Sequence, residues 1–365
     1  MRTQERQHDL GVQDAMERWH AARALVMRYG WNAVSYQILN PGIEHWFSRT
    51  GDAVVGFASW AGVRVVAGAP VCAKQQLQAV ADEFERDAHV NRDRVVFLAA
   101  GERMERLYAE RLDRSLVYVG AQPVWDPRAW PDIVGGKPSL RAQLHRAQNK
   151  GVVVSEWPPA RAQDSAALAA VLHEWLSHRG LPPLHFLTTP DLLGNVQDRR
   201  VFVAQHADQV IAYLIATPIP ARNGWLIEAW PRAQNAPNGT THLLVHAAMS
   251  AFAASGSQYA TLGIAPLSEA GARHYGGEPA WLHWSLRWVR AHGCRFYNFR
   301  GLEAFKASLQ PPSWEPLFAI ADGPHFTPTM LRALAGVFSA GSPALFLARA
   351  LAQAVGEETR RLVAS

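Results

Sequence analysis

Cysteine and lysine are scarce in this chain. Among 365 residues only Cys72 and Cys294 are cysteine, and only Lys74, Lys137, Lys150 and Lys306 are lysine. Two cysteines so far apart give neither a disulfide framework nor a metal-ligand spacing, and they fit a reducing cytoplasm. The opening MRTQERQHDLGVQDAMERW has no apolar h-region, so no signal peptide is expected. No G-x-S-x-G elbow, P-loop or Cys-His signature occurs, and no H-E-x-x-H, so no metal site or other cofactor is expected. The longest apolar stretch, residues 331–355, is cut by Gly341-Ser342-Pro343 and carries Arg332 and Arg349. It reads as two packed helices in preference to an interfacial anchor or a span.

What the chain has is apolar mass and arginine. An apolar content of 48% over this length can fill two cores, and a net charge of +5 suits a polyanionic partner such as RNA, phospholipid or a nucleotide. Residues 12–28 predict a helix, and GDAVVGFASWAGVRVVAGAPV (51–71) predicts a β-meander. A helix at 74–89, a strand at 95–99, a helix at 102–112 and a strand at 116–119 follow. PVWDPRAWPDIVGGKPS, dense in Pro, Gly and Trp, reads as a linker. The second half repeats the plan: a helix at 164–179, strands at 201–205, 210–217 and 224–229, a helix at 239–254, a strand at 259–264 and a helix at 280–292. This order predicts tandem acetyltransferase-like α/β domains with mixed, largely antiparallel sheets flanked by helices. The expected division is a first domain over 1–125, a linker with a basic segment over 126–150, a second domain over 151–326 carrying the site, and C-terminal helices over 327–365.

Three constellations carry possible chemistry. In WLIEAWPRAQNAPNGTTHLL (225–244) a strand ends near Glu228, reaches Arg232, and turns through Asn238 and Gly239 into a helix whose first residue is Thr240. Unpaired amides at such a helix start, the flexible Gly239 and the threonine hydroxyls suit an anion, though a plainly capped helix is the bland alternative. The Q/R-x-x-G-x-G/A pattern of acetyl-CoA enzymes is missing. In LRAQLHRAQNKG (140–151), Arg146 and Lys150 form one basic ridge and Arg141 and His145 another, either a phosphate contact or a solvated face. In the helix after residue 299, Leu302, Phe305 and Leu309 make one buried stripe with Lys306 at its edge. His185 reads as a structural loop residue, and Trp281, Trp284 and Trp288 as core packing.

FKASLQPPSWEP (305–316) resembles the F-K-x-K-[FL]-x-P…W-E-P block of the C-terminal catalytic domain of lysyl- and alanyl-phosphatidylglycerol synthases, here in a form without the membrane half. YGWNAVSY (29–36), Pro41-Gly42, the basic run and NAPNGTTHLL (235–244) match in the same order. The resemblance implies transfer of an amino acid from aminoacyl-tRNA to a lipid hydroxyl. With it, Glu228, Arg232 and Lys306 are expected to carry catalysis, Glu228 only if the strand ends or bulges there, since adjacent strand residues face opposite sides; Asn238, Gly239, Thr240, Arg146, Lys150, Asn298 and Trp314 are expected to bind substrate. The chain departs from the pattern at Ala229, where the family carries Asp, and at Ser308, where it carries Lys. Two other readings stay open: an acyl-CoA-dependent N-acyltransferase, and a catalytically lapsed lipid- or tRNA-binding protein of the same fold. The expected partners are aminoacyl-tRNA and a phospholipid, met peripherally at the inner face of the membrane.

Overall fold

The computed structural model describes residues 2–178, 186–187, 191–272 and 299–339. The first half runs α1 (Arg2–Tyr29), β1 (Glu44–Phe47), β2 (Val54–Trp60), β3 (Val63–Ala67), α2 (Leu77–Val90), β4 (Arg94–Ala100), α3 (Glu102–Tyr108) and β5 (Arg114–Trp125). Next come α4 (Trp130–Gly136), α5 (Pro138–Asn149), β6 (Val153–Trp157), α6 (Pro159–Gln163), α7 (Ala166–Ser177), β7 (Arg200–His206), β8 (Gln209–Ile219) and β9 (Gly224–Ala229). The last described elements are α8 (Thr240–Ala254), β10 (Tyr259–Thr261), β11 (Ala265–Pro266), α9 (Phe299–Ser308), β12 (Ser313–Asp322) and α10 (Pro328–Phe338).

The described strands join in one mixed sheet, ordered β1-β2-β3-β4-β12-β5-β10-β9-β8-β7-β6, with β11 on the side of β5. Parallel pairing occurs at β3/β4 and β9/β10. Each pair is bridged by a helix crossover, α2 in the first half and α8 in the second, because parallel neighbours cannot be joined by a hairpin. Helices cover both faces. One face of the first half packs Val54, Val65 and Val96 against Ala22 and Val26 of α1 and Met330 and Val337 of α10. The opposite face packs Val55, Phe97 and Phe318 against Phe84 of α2 and Met104 of α3. In the second half α5 and α8 cover one face through Leu144, Leu244 and Phe252, and α7 the other through Leu168 and Val171. Strands such as VVFLAA (95–100) are apolar at every position because both of their faces are buried.

The α/β class read from the sequence holds, and several local expectations change. The stretch read as a linker continues β5 to Trp125 and then forms α4 and α5; Pro131 and Pro138 lie at helix starts, where a missing N–H costs nothing. The helix expected after residue 299 is α9, with Phe299 itself helical. The W-E-P block lies on strand β12, which slots between β4 and β5. The helix expected at 280–292, with its tryptophan stripe, and His185 lie outside the described residues, as does the apolar tail from residue 340. Among the described residues no helix is long and apolar enough to cross a membrane.

Candidate functional site

Four of the residues singled out from the sequence converge on one cleft of about 400 Å³: Arg146, Arg232, Asn238 and Gly239. The strand-to-helix passage after β9 supplies the last three, and α5 supplies Arg146. Gly239 makes the convergence possible. Its φ is +96°, and a Cβ there would lie 2.2 Å from the Gln143 carbonyl oxygen of α5. The glycine thus serves close packing of α8 on α5, which carries Arg146 to the rim; the expected close approach of an anion is not what the geometry requires of it. Gly239 also offers no capping side chain, so the start of α8, which borders the cleft, lacks a side-chain cap and presents the positive end of its helix dipole.

Aromatic rings complete the walls. Trp230 packs on Phe305 with ring centroids 5.6 Å apart, His242 meets Phe305 edge-on at 5.3 Å, and Trp175 also lines the cleft. No carboxylate lines the cleft among the described residues. Two guanidiniums, a helix start and flat apolar walls can hold a phosphate with an apolar or aromatic neighbour. His242 is a member that sequence reasoning missed. It lies one turn from His246 on α8, but His246 Nδ1 accepts from Trp130 Nε1 at 3.0 Å, and only His242 reaches the cleft. Burial lowers the His242 pKa, so its ring is neutral at pH 7 and can accept a proton.

The remaining candidates lie elsewhere, each for a local reason. Lys306 is 2% exposed, and its Nζ donates to the carbonyls of Gly263 and Ile264 at 2.8 and 2.7 Å. It is therefore the buried residue of α9, while Leu302 and Phe305 are only half-buried. Burial pushes its pKa down to about 7. Lys306 is a strut behind Phe305 and does not line the cleft. Thr240 is also buried, and its hydroxyl donates to the Pro237 carbonyl at 2.6 Å, which closes the turn. Lys150 is exposed past the end of α5, and Arg141 donates to the carbonyls of Val134 and Gly135 that end α4. Trp314 sits on β12 against Pro123 of β5 and packs with the first-half core. Asn298 lies outside the described residues.

Glu228 is displaced by a β-bulge. Ile215 pairs with Ala229 and Ala216 with Ile227, so Glu228 is the extra residue. Strand alternation alone separates Glu228 from the side of Ala229, and the bulge suspends that rule. The carboxylate meets Arg199 Nη2 at 3.6 Å, but neither of its oxygens has a hydrogen-bond partner. It does not line the cleft.

The W-E-P block holds a second polar centre that spacing did not reveal. Glu315 accepts from Arg222 at 2.6 and 3.0 Å, and from Gln122 and Tyr259 at 2.9 Å each. Arg222 stacks over Tyr259 at 3.5 Å and over Trp31 at 4.6 Å. Burial would raise the Glu315 pKa, but the donors around it, chiefly Arg222, outweigh that and hold it below the usual carboxylate range.

A sequence profile described as phosphatidylglycerol lysyltransferase, C-terminal, matches residues 23–321. No curated protein sequence matches the chain. Among solved structures, a domain described as the C-terminal domain of a putative lysylphosphatidylglycerol synthetase from Agrobacterium fabrum superposes with a TM-score of 0.74 at 21% identity, over 89% of this chain and 98% of that one. L-PGS from Bacillus licheniformis superposes with a TM-score of 0.69 at 19% identity, over 91% of this chain and 97% of that one. At such identities the superpositions speak for the fold alone, while the profile spans most of the sequence. The chain thus belongs to the phosphatidylglycerol lysyltransferase C-terminal family.

Proposed function

We propose that this protein transfers an amino acid from aminoacyl-tRNA to a hydroxyl of a phosphatidylglycerol-like lipid. One observation carries the reading: the cleft joins two guanidiniums and an uncapped helix start to aromatic walls, with no carboxylate among its lining residues. Such a place suits the phosphate and base at a tRNA terminus. Membership of the family supports the same chemistry.

The donor ester is already activated, so the task is to align, deprotonate and neutralise. The lipid hydroxyl attacks the ester carbonyl carbon as His242 takes its proton. Arg232 and Arg146 offset the charge of the tetrahedral oxyanion and of the neighbouring phosphate. The ester C–O bond then breaks, and the departing ribose oxygen recovers the proton from His242. Lys306 acts as a positioning residue: it ties α9 to residues 263–264 and holds Phe305 at the wall. Glu228 has no part in proton transfer in this scheme.

The test is incubation with labelled aminoacyl-tRNAs and phosphatidylglycerol vesicles, counting label in the organic phase. Arg232→Ala should lower transfer at least about tenfold, and His242→Gln by about 10² or more. Raising salt from about 50 to 200 mM should depress the use of tRNA. Wild-type protein that binds tRNA yet moves no label, or transfer unchanged in Arg232→Ala, overturns the proposal. Transfer from acyl-CoA in place of aminoacyl-tRNA would favour the other donor.

A further inference from the structure

The two halves of the fold place equivalent passages at equivalent points. β9 leads through residues 230–239 into α8, and that passage lines the cleft of Arg232. In the first half β3 leads through residues 68–76 into α2, again between the two members of a parallel pair. This passage also borders a cavity: Pro70, Cys72 and Lys74 line it, together with Ser35 and Arg103.

The side chains around this cavity are incompletely satisfied. Arg103 stacks on Trp31 with its guanidinium carbon 4.1 Å from the ring centre, which fixes its direction. Arg222 stacks on the same indole at 4.6 Å, but Glu315 neutralises it. Arg103 has no ion pair or hydrogen bond among the described residues. The adjacent Glu102 is engaged by Arg106. Burial and the nearby Arg222 both disfavour the charge on Arg103, a cost that a bound anion would offset. Ser35 is 3% exposed, lines the cavity, and its hydroxyl has no partner among the described residues. Asn32, by contrast, is engaged at both ends: its amide nitrogen donates to the Ala99 carbonyl and its oxygen accepts from Val34 N. No carboxylate lines the cavity among the described residues.

We infer that Arg103, Lys74 and Ser35 form a second anion subsite, in the first half of the fold, that takes one oxygen of a phosphate ester. The volume decides the size of what enters. About 20 Å³ holds a group the size of a single water, so one phosphoryl oxygen is seated while the rest of the group stays at the mouth beside Lys74. The guanidinium and the hydroxyl donate to that oxygen, and the exposed ammonium of Lys74 balances a second one. The subsite stands apart from the cleft of Arg232 and does not depend on the transfer reaction.

Two sources share this chemistry, a phospholipid headgroup and free phosphate, and calorimetric titration separates them. Protein carrying Arg232→Ala, which weakens the other cleft, is titrated with inorganic phosphate and with sn-glycero-3-phosphoglycerol, the soluble headgroup. Binding of either ligand, weakened at least tenfold by Arg103→Gln and partly restored by Arg103→Lys, is the expected result. Tighter binding of the headgroup names the lipid as source, and tighter binding of phosphate names the free anion. Because Arg103→Gln also removes a stacking contact, Lys74→Gln provides a variant outside the core and should weaken binding several-fold with an unchanged melting temperature. No binding of either ligand in the Arg232→Ala background overturns the inference. So does affinity unchanged by both Arg103→Gln and Lys74→Gln. Failure of aminoacyl transfer leaves this result untouched, because the titration reads binding alone.

Discussion

Glu315 and Glu228 are both carboxylates drawn toward the interior on strands of one sheet, and they are treated in opposite ways. Glu315, on β12, collects four hydrogen bonds from three side chains. Glu228, at the β9 bulge, has one cation at 3.6 Å and no hydrogen bond to either oxygen. Their exposures run against the simple expectation: the well-served side chain is 31% exposed and the poorly served one 7%. The lesson is that burial does not measure how far a charge is compensated. Glu315 ties β12, β5, β10 and the loop before β9 together; Glu228 carries a desolvation cost with little return. Lys306 sits between these extremes, fully buried but bonded to two carbonyls.

The comparison is most easily broken at Arg222. Losing one partner of a buried ion pair costs about 3–5 kcal/mol, and partial solvent access at Glu315 reduces this to about 2 kcal/mol for Arg222→Ala. Chemical denaturation checks the figure, and a cost below about 0.5 kcal/mol would show that the Glu315 network does not hold these strands together.

The next effect is on pH dependence at Lys306. A lysine whose folded pKa falls from 10.5 to about 7 binds fewer protons when folded, so stability rises as pH climbs through that interval. Thermal melts of wild type should show this rise and Lys306→Met should flatten it. At Glu315 the sign is the same, in a more acidic range. Its pKa lies below the ordinary 4.5, so its contribution is complete above that value and is lost as pH falls through the folded pKa. Melts between pH 5 and 2, compared with Glu315→Gln, isolate it.

The smallest effect belongs to Glu228→Gln. It should cost no more than about 1 kcal/mol, since no hydrogen bond to the carboxylate is lost. A larger loss would show that Arg199 depends on that charge, and would erase the contrast between the two carboxylates.

Much of the fold is legible because periodicity and turn chemistry act locally. The β-meander, the crossover helix of the second half and its strands follow from spacing, and the W-E-P block together with NAPNGTTHLL points to the family matched over residues 23–321. The site is legible only in part. Arg146 and Arg232 read as cations near a helix start, but the α5–α8 contact across Gly239 brings them together, and no local signal encodes that contact. Lys306 reads as the edge of an apolar stripe, one position from burial; the carbonyls of Gly263 and Ile264, between β10 and β11, accept from its ammonium and draw it inward. His242 gives no signal beyond its position on a helix.

By itself, then, the sequence determined most of the helices and strands outside the stretch read as a linker, the basic character of the passage into α8, and the family. Pairing of strands distant in the chain decided the rest: β12 between β4 and β5, Glu315 beneath Arg222, and Glu228 set aside by a bulge. Hydrophobic periodicity is written within a dozen residues and can be read there. The partner of a buried charge is whichever group the packed sheet brings near it, and in this chain Glu315 and Arg222 are 93 residues apart.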